Sequence, residues 1–569
     1  MGETCCRKGE RFPSLFSPLR IGNIRLKNRI IAAPTSPSMI TTQGHFTPEM
    51  IAYLEEKAMG GAGVVTYGEA IVHSATGKSH NKQLQLDSYG VKQGMAEAAR
   101  AIHNAGAYAS IQLSHGGMYG GLASVGGEHI KAYGTGAKLC KDCGFDMVQV
   151  HAAHGWLFSQ FLSPVLNQRT DEFGGSLENR ARFLCMALDS VRESVGPGFP
   201  IELRLNGDDM TDSGIGLEEY IKVACMVEAK VDLFNISCGN HEDPAMFCRT
   251  HPSVFFPRGV NVYLAAEVKK HVKKPVACVG SLNDPGQMEE IIASGQADIV
   301  EIGRALLADP YLPKKALEGN EEDITPCLRC YECFGETGKS ETVKCTVNPT
   351  MGQQLACKFP LPRPGKKKRV LVAGGGPAGM EAAITAAGRG HMVTLVEKAG
   401  RLGGNLHPAA APFFKKDIEK LCQVLESRVK AAGVEVVLDT EVTADYIKVM
   451  APDALFVAIG SNELKPPIKG MDGSNVIMAV EAELHPEKLG KKIAIMGGLM
   501  PQVEKAADIY VNTKVKEIVP DGVVCETDGT VFTVEADSVV CALGFRVCLK
   551  IAFRQLCVPL CGRFGPDEG

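Results

Sequence analysis

Eight short apolar runs recur along the first 325 residues, and segments with helical spacing separate them. The runs cover residues 30–33, 63–66, 109–113, 147–150, 201–205, 233–236, 275–279 and 299–302. Strands that alternate with helices in this way are typical of a (β/α)8 barrel, in which eight parallel strands close into a ring. The sequence therefore predicts an α/β fold that begins with a TIM barrel over residues 1–325.

Most of these runs end in a polar residue or a glycine, or are followed closely by one. These residues are Thr35, Glu69, Gln112, His151, Arg204, Ser237, Gly280 and Gly303. Active sites of such barrels are built from the C-terminal ends of the strands. We therefore expect these residues to surround one catalytic pocket.

Four cysteines follow the predicted barrel within 19 residues: Cys327, Cys330, Cys333 and Cys345. Thiolates at such spacing can hold an iron–sulfur cluster, which carries one electron at a time. A zinc ion held by four cysteines is the alternative that the spacing leaves open. The other cysteines, of 20 in the chain, show no pairing pattern typical of a secreted protein, so a reducing, cytoplasmic location is expected.

A glycine pattern in the second half of the chain stands between an apolar run and a helical segment. It consists of Gly374, Gly376 and Gly379, and the next apolar run ends in Glu397. This order of strand, glycine turn, helix, strand and acid is typical of a dinucleotide-binding domain. The pyrophosphate would lie at the helix N-terminus, and Glu397 would bind a ribose hydroxyl.

Composition excludes several classes of partner. The chain carries a net charge of −4 over 569 residues, so no basic surface for nucleic acid is expected. No uncharged apolar stretch is long enough to span a bilayer, so no membrane partner is expected. The expected partner is a small molecule, and assembly as a homo-oligomer stays open.

The order of barrel, four-cysteine segment and dinucleotide domain resembles one branch of the old yellow enzyme superfamily. This is the NADH:flavin oxidoreductase branch of the 2,4-dienoyl-CoA reductases, with trimethylamine dehydrogenase and the clostridial enoate and bile-acid reductases. The stretches that carry the resemblance are residues 15–23, 27–30, 111–117, 151–155, 161–182 and 302–310.

The resemblance implies four redox components. FMN would lie in the barrel, a [4Fe–4S] cluster on the four cysteines and FAD on the glycine turn. NAD(P)H would give a hydride to FAD, and single electrons would pass through the cluster to FMN. A flavin is needed on each side because a nicotinamide gives two electrons together. The implied reaction is hydride transfer from FMN to an activated C=C bond of an unsaturated acid, thioester or ketone.

The resemblance also assigns residues to each flavin. Those expected to hold FMN are Pro34, Thr35, Ala70, Gln112, Arg204, Gly280, Gly303 and Arg304. Arg204 and Gln112 suit the pyrimidine side of the flavin ring, and Arg304 has the charge and fork geometry for its phosphate. Those expected to hold FAD are Gly374, Gly376, Gly379, Glu397 and Gly404.

Three histidines are the candidate catalytic residues. His151 and His154 lie at the end of the fourth run, and either could hydrogen-bond a substrate carbonyl or carboxylate and polarise the neighbouring double bond. The family often has a tyrosine where this chain has Trp156, and an indole N–H is no general acid near neutral pH. His241 matches a family position that helps protonation, and water is the other proton source.

Two other functions stay open. An amine dehydrogenase shares this architecture, but in that group a cysteine near the position of Ser36 attaches FMN covalently. No cysteine lies between Ile30 and Thr66, so non-covalent FMN and alkene reduction are favoured. The other alternative is a truncated flavoprotein that relays electrons without catalysis.

The family pattern fits the chain unevenly. The expected domains are a barrel at 1–325, an iron–sulfur segment with linker at 326–365, an FAD domain at 366–465, an incomplete NAD(P) domain at 466–520 and a truncated return to the FAD domain at 521–569. The third barrel helix is expected to span barely two turns, from Ala137 to Cys143. Roughly 55 residues are too few for a full nucleotide-binding domain, so poor use of nicotinamide is expected.

Overall fold

The computed structural model describes residues 11–120, 126–241, 244–338, 342–359, 364–497 and 508–547. The chain divides into two units, Met1–Pro360 and Leu361–Gly569. Within the described residues, no helix is both long enough and apolar enough to cross a bilayer.

Eight parallel strands form a closed barrel in the first unit. They are β1 (Ile30–Thr35), β2 (Val64–Ile71), β3 (Tyr108–Ser114), β4 (Met147–Ala152), β5 (Ile201–Asn206), β6 (Leu233–Ser237), β7 (Val276–Val279) and β8 (Ile299–Ile302). Each strand pairs with the next, and Val300 of β8 pairs with Ile30 of β1, which closes the ring. The predicted (β/α)8 fold is confirmed, and all eight apolar runs are barrel strands.

Helices surround the barrel. The longer ones are Pro48–Met59, Val91–Asn104, Gly127–Asp142, Leu177–Val195, Leu217–Val227, Val262–Lys269 and Pro285–Ala293. Shorter helices are Ser74–Gly77, Leu157–Leu162, Pro244–Thr250, Arg304–Ala308 and Leu312–Glu318. A two-residue strand, Leu84–Gln85, pairs with β2 outside the ring.

A hairpin closes the N-terminal end of the barrel. Its strands, Leu19–Ile21 and Ile24–Leu26, pair antiparallel. Ile21, Ile24 and Leu26 are buried in one cluster with side chains near the starts of the barrel strands, among them Met147 and Ile299. Burying apolar surface there fills the lower end of the barrel, so the opposite, C-terminal end carries the site.

The third barrel helix is longer than the sequence predicted. It spans Gly127–Asp142, or 16 residues, so the expectation of barely two turns is wrong. Gly134 and Gly136 weaken the helical pattern in the sequence, but Gly134 has a packing role. A methyl group on it would lie 2.4 Å from Ser190 Oγ on the neighbouring helix, so the absence of a side chain lets the two helices approach.

The cysteine segment packs on the barrel within the first unit. Its helices are Glu332–Gly338 and Gln354–Lys358. Val343 and Met351 are buried with the barrel core. Asn348 Nδ2 donates to the Leu307 carbonyl at 2.8 Å, so the segment is tied to the C-terminal end of the barrel.

A four-stranded parallel sheet begins the second unit. Its strands are β9 (Arg369–Ala373), β10 (Met392–Val396), β11 (Glu435–Val437) and β12 (Ala454–Val457), in the order β11-β10-β9-β12. The helices are Pro377–Gly388, Leu406–Ala410, Lys416–Ala431 and Ala444–Met450. The predicted sequence of strand, glycine turn, helix and strand is thus confirmed from β9 to β10.

A second parallel sheet contains Val476–Met478, Ser538–Cys541 and Ile493–Met496 in that order, and the helix Ala479–Leu484 follows its first strand. We expected Ser538–Cys541 to return to the FAD domain, but it pairs with both strands of the predicted NAD(P) segment. All four of its residues are buried, and a strand buried in this way needs a neighbour on each side. The predicted boundary at residue 520 therefore does not match the sheet.

An antiparallel meander of Lys514–Val519, Gly522–Thr527 and Thr530–Glu535 adjoins this sheet in sequence. Ser461–Glu463 pairs with Phe545–Val547. The glycine run after Ile493–Met496, from residue 498, and the predicted truncated end after residue 547 lie outside the described residues.

Candidate active site

A cavity of about 400 Å³ opens at the C-terminal end of the barrel. The structure brings most of the predicted FMN and catalytic residues to its wall. They are Pro34, Thr35, Gln112, His151, His154, Arg204, His241, Gly280, Gly303 and Arg304. Ala70 is fully buried in the barrel core and does not line the cavity, whereas Gly68 and Glu69 before it do.

A hydrogen-bond chain crosses the floor of the cavity. Gln112 Nε2 donates to Gln149 Oε1 at 2.6 Å, and Gln149 Nε2 donates to Glu301 Oε1 at 3.4 Å. Arg204 Nη1 donates to Glu301 Oε2 at 2.7 Å. Arg204 Nε is buried and has no hydrogen-bond partner. A buried donor without a partner is costly, so the cavity suits a ligand with an acceptor atom at this point.

Two carboxyl groups lie beneath Arg204. Burial, and then the charge of Glu301, raises the pKa of Glu202 to about 8. Glu202 therefore keeps its proton at pH 7, and Glu301 is left as the partner of Arg204 in the barrel interior.

Four histidines form a contiguous group along one wall. The ring centroids of His151 and His154 are 5.2 Å apart, those of His154 and His241 5.6 Å, and those of His241 and His251 5.4 Å. His151 Nδ1 accepts a hydrogen bond from the Ala153 N–H at 3.3 Å, so the proton of its neutral ring is on Nε2.

Burial keeps these histidines neutral. It lowers the pKa of His251 well below its usual value. Desolvation by the surrounding wall also lowers the pKa of His241 to about 4, although part of this side chain is exposed. Burial, followed by the charge of Arg204, also lowers the pKa of His151 and His154 well below 6.5. At pH 7 the group consists of uncharged rings that can donate hydrogen bonds without carrying a spare proton.

Sequence reasoning missed His251. It follows directly after the short helix Pro244–Thr250 that succeeds β6, and its ring also packs 4.6 Å from that of Phe334. The signal that could have found it is its place in a loop at the C-terminal end of a barrel strand, where active-site residues gather.

Arg304 occupies the corner of the cavity beyond β7 and β8. Its Nη2 donates to the Pro252 carbonyl at 2.8 Å, whereas its buried Nη1 has no partner. Gly280 has φ +143°, and a methyl group on it would meet Asn261 at 3.2 Å. A small backbone turn beside an unsatisfied guanidinium suits a phosphate group.

The four predicted cysteines converge on a smaller cavity next to the first. Cys327, Cys330, Cys333 and Cys345 all line it, and Cys327 and Cys333 also line the large cavity. Burial, followed by the charge of Cys327, raises the pKa of Cys333 to about 12. Without a cation this thiol therefore keeps its proton at pH 7. These thiols are not among the groups of described ligand atoms that lie within 4.8 Å of one another, so the four sulfur donors around one cavity fit an iron–sulfur cluster better than a single ion.

In the glycine turn of the second unit, backbone segments approach one another closely. A methyl group on Gly374 would lie 2.3 Å from the Ala458 carbonyl oxygen, and one on Gly379 would lie 1.8 Å from that of Gly374. Gly376 caps the helix Pro377–Gly388, and a methyl group on it would meet nothing within 4 Å. The turn is therefore open at the helix N-terminus, where a pyrophosphate binds in such folds.

Two further predicted FAD residues lie beside this turn. Glu397 Oε2 accepts a hydrogen bond from the Gly375 N–H at 2.6 Å, so the acid also holds the turn in place. A methyl group on Gly404 would lie 3.3 Å from Gly376 Cα.

Comparison with known families decides the identity. Residues 14–124 and 127–323, more than half of the chain, match the NADH:flavin oxidoreductase / NADH oxidase family. The chain belongs to this family. Residues 347–450 and 368–507 match the pyridine nucleotide-disulphide oxidoreductases. This NADH:flavin oxidoreductase is therefore an enzyme that uses a flavin and a nicotinamide nucleotide, and it is of the 2,4-dienoyl-CoA reductase type.

Several relatives align with most of the chain. An NADH oxidase of Thermoanaerobacter brockii is 36% identical over 86% of this chain and 80% of the relative. A cinnamate reductase of Clostridium sporogenes is 32% identical over 90% of this chain and 83% of the relative. The solved structure of a 2-naphthoyl-CoA reductase is 32% identical, with a TM-score of 0.88, and covers 95% of this chain and 94% of its own.

Proposed function

We propose that this enzyme reduces an activated C=C bond of a small unsaturated acid, thioester or ketone at the expense of NAD(P)H. The group of neutral histidines beside Arg204 carries the proposal, because it places hydrogen-bond donors on the wall of a flavin-sized cavity. A cinnamate reductase and a 2-naphthoyl-CoA reductase among the relatives support this substrate class.

Residues of the cavity fit FMN. Gln112, Arg204 and Thr35 would hold the ring, because Arg204 Nε is a buried donor that needs an acceptor. Gly280, Gly303 and Arg304 would hold the phosphate, and Arg304 Nη1 is the matching free donor. When bound, a flavin accepts and returns a hydride.

The glycine turn of the second unit would hold FAD, and the four cysteines would hold a [4Fe–4S] cluster. Support for the cluster comes from the convergence of four thiols at a cavity that shares Cys327 and Cys333 with the proposed FMN site. Non-covalent FMN is consistent with Ser36 at the cavity wall.

His151 and His154 would position the electron-withdrawing oxygen of the substrate. A neutral imidazole donates a hydrogen bond to a carbonyl, and this bond strengthens as negative charge develops on the oxygen. Ser237 Oγ lies 2.7 Å from His154 Nε2 and fixes that ring. Trp156 lines the same wall, with its ring 5.7 Å from that of His151.

Protonation would complete the reduction. His241 holds no spare proton at pH 7 because burial lowers its pKa to about 4. It would therefore pass on a proton from water rather than store one.

An anaerobic titration tests the proposal. Purified protein is mixed with NADH or NADPH, and the flavin absorbance is followed before and after cinnamate is added. Bleaching by the nucleotide followed by recovery with cinnamate supports the reductase. Bleaching by dithionite but not by either nucleotide would instead indicate an electron relay.

A second candidate is an amine dehydrogenase of the same architecture. An N,N-dimethylglycine/sarcosine dehydrogenase of Chromohalobacter salexigens is 30% identical over 79% of this chain. In the same cuvette, bleaching by sarcosine without any nucleotide would favour this candidate and contradict the reductase.

A further inference from the structure

A buried lysine lies directly behind the predicted flavin site. Lys57, on the helix Pro48–Met59, is only 1% exposed. Its Nζ donates to Thr35 Oγ1 at 2.9 Å and lies 4.2 Å from the centroid of the Tyr53 ring. Thr35 and Tyr53 both line the large cavity, whereas Lys57 does not. The ammonium group therefore reaches the cavity only through its neighbours.

Lys57 has little electrostatic compensation. Burial lowers its pKa to about 7, and within the part of the chain that the structure describes the charge of Glu56 on the same helix raises it. Glu56 is itself a weak partner, because burial, and also Asp309, raise its pKa. Tyr53 is uncharged, because burial, together with Cys333 and Glu56, raises the pKa of its phenol far above neutrality. A lysine in such a place can change its charge near pH 7.

Thr35 can transmit that change to the cavity. Its Oγ1 lies 2.6 Å from the Tyr53 hydroxyl as well as 2.9 Å from Lys57 Nζ. An ammonium has no lone pair, so a charged Lys57 can only donate to Thr35. If Tyr53 also donates, the Thr35 proton is left for an acceptor in the cavity, which Thr35 lines. A neutral Lys57 can instead accept the Thr35 proton.

We propose that Lys57 is a redox-linked positioning residue, which takes up a proton when the flavin of the cavity is reduced and acts on it through Thr35. The inference rests on the proposed function, because it requires a flavin at this site. The two electrons come from the nicotinamide nucleotide, the proton comes from water, and the N–H bond on Nζ is the one bond that this step forms. Reoxidation by the substrate returns the proton.

The direction in which flavin reduction shifts the pKa of Lys57 follows from Coulomb's law. Negative charge added in the cavity favours the charged form of Lys57 and raises its pKa. Below about pH 7, Lys57 is already charged whether the flavin is oxidised or reduced. Above that pH, up to the raised pKa, reduction brings in one proton at Lys57. The midpoint potential of the flavin should therefore fall more steeply with pH above about 7.

The test is anaerobic spectroelectrochemistry of the full, cofactor-loaded protein between pH 5.5 and 9.5. In the wild type, the slope above pH 7 should be steeper by one proton per two electrons, or about 30 mV per pH unit. Lys57→Met should remove the added slope and lower the potential at pH 6, because the positive charge is lost. Lys57→Arg should remove the added slope but keep the potential at pH 6, because arginine does not titrate.

Lys27→Met is the matched control. Lys27 Nζ bonds the Gly106 carbonyl, and both residues precede the starts of their barrel strands, away from the cavity. This variant should keep the wild-type slope.

A wild type whose slope does not increase above pH 7 would overturn the proposal even if Lys57→Met failed to fold. A Lys57→Arg protein whose slope still increased above pH 7, as in the wild type, would also overturn the proposal. The flavin could bind, bleach with NADH and recover with cinnamate, while the slope of its midpoint potential against pH does not change near pH 7. That result would refute only the role of Lys57. Protein that binds no flavin would refute the proposed function itself.

Discussion

Arg204 is the residue on which the floor of the cavity depends. It is 7% exposed, and its guanidinium pairs with Glu301, whose side chain is fully buried. Two opposite charges in such a place are stable only together, because either one alone would lack compensation for its lost hydration. The pair therefore holds a positive group at the floor of the cavity and beside the histidines.

Replacing Arg204 by methionine should cost both stability and flavin. The free energy of unfolding should fall by about 3 kcal/mol, because Glu301 is left as an unpaired buried charge. Urea unfolding followed by fluorescence reports on the barrel, because Trp156 is the single tryptophan of the chain. Flavin content, measured by absorbance, should fall as well.

The double variant Arg204→Met/Glu301→Gln separates the two effects. Removing the orphaned charge should restore most of the stability, while the flavin stays lost. Full flavin content in the single variant would show that Arg204 does not hold the ring.

The buried histidines should make the barrel sensitive to acid. His154 is 7% exposed, and burial, followed by the charge of Arg204, lowers its pKa well below the value of about 6.5 that it has in the unfolded chain. The unfolded state therefore binds more protons below about pH 6.5, and stability falls as the pH falls below that value. The loss is up to about 1 kcal/mol per pH unit for one buried histidine.

His154→Asn should lessen this dependence by about that amount. The measurement is the free energy of unfolding in urea at pH 4.5, 5.5, 6.5 and 7.5, again by the fluorescence of Trp156. Equal slopes for the wild type and the variant would show that His154 is not held neutral in the fold.

Single residues set the limit of what the sequence could predict about the site. His151, Arg204 and Gly303 were predictable because they end barrel strands, and strand ends meet at one face. Lys57 was not, because its chemistry comes from burial by distant segments. Ala70 was assigned to the cavity by resemblance alone. The pairing of β2 with β3 is irregular between Tyr67 and Ala70, so the regular alternation of a strand does not predict which of these side chains faces the cavity.

At the scale of elements, strands were easier to predict than helices. An apolar run marks a strand buried on both faces, and all eight runs became barrel strands. The helix Gly127–Asp142 was underestimated, because Gly134 and Gly136 weaken the local pattern, and the close packing that explains Gly134 involves a helix distant in sequence. Ser538–Cys541 was placed in the wrong sheet, because pairing partners distant in sequence leave no local signal.

Gly134→Ala tests this account of the third helix. The added methyl group would lie 2.4 Å from Ser190 Oγ and 2.7 Å from Ser194 Oγ, so the two helices must separate. The variant should lose about 1–3 kcal/mol of stability in urea unfolding. Gly127→Ala is the control, because a methyl group there meets nothing within 4 Å, and it should be neutral or stabilising by up to about 1 kcal/mol.

If the two alanine variants lost the same stability, close packing would not be the reason for Gly134. A Gly134→Ala/Ser190→Ala protein should recover part of the loss, because the contact at 2.4 Å disappears.

At the scale of the whole molecule, the proposed reaction requires the cysteine segment as well as the two flavin sites. Cys345→Ser should lower the iron content and abolish the NADH-driven reduction of cinnamate. Cys345→Ser protein that has been reduced with dithionite should still reduce cinnamate, because the barrel site can use electrons from any donor. Iron analysis, flavin absorbance and anaerobic kinetics measure the three quantities.

Cys357→Ser provides the comparison, because this exposed cysteine is outside the group of four and should not affect iron or turnover. Zinc rather than iron in the wild type would remove the electron carrier from the proposal. NADH-driven turnover that survives in Cys345→Ser would show that electrons take another route.

The hairpin at the N-terminal end of the barrel determines where small molecules enter and leave the cavity. Its side chains are buried among the starts of the barrel strands, so substrate and product share the opening at the C-terminal end. The two will therefore compete for that opening and for the cavity behind it. Added product should accordingly slow the initial rate at low substrate, and a high concentration of substrate should relieve the inhibition.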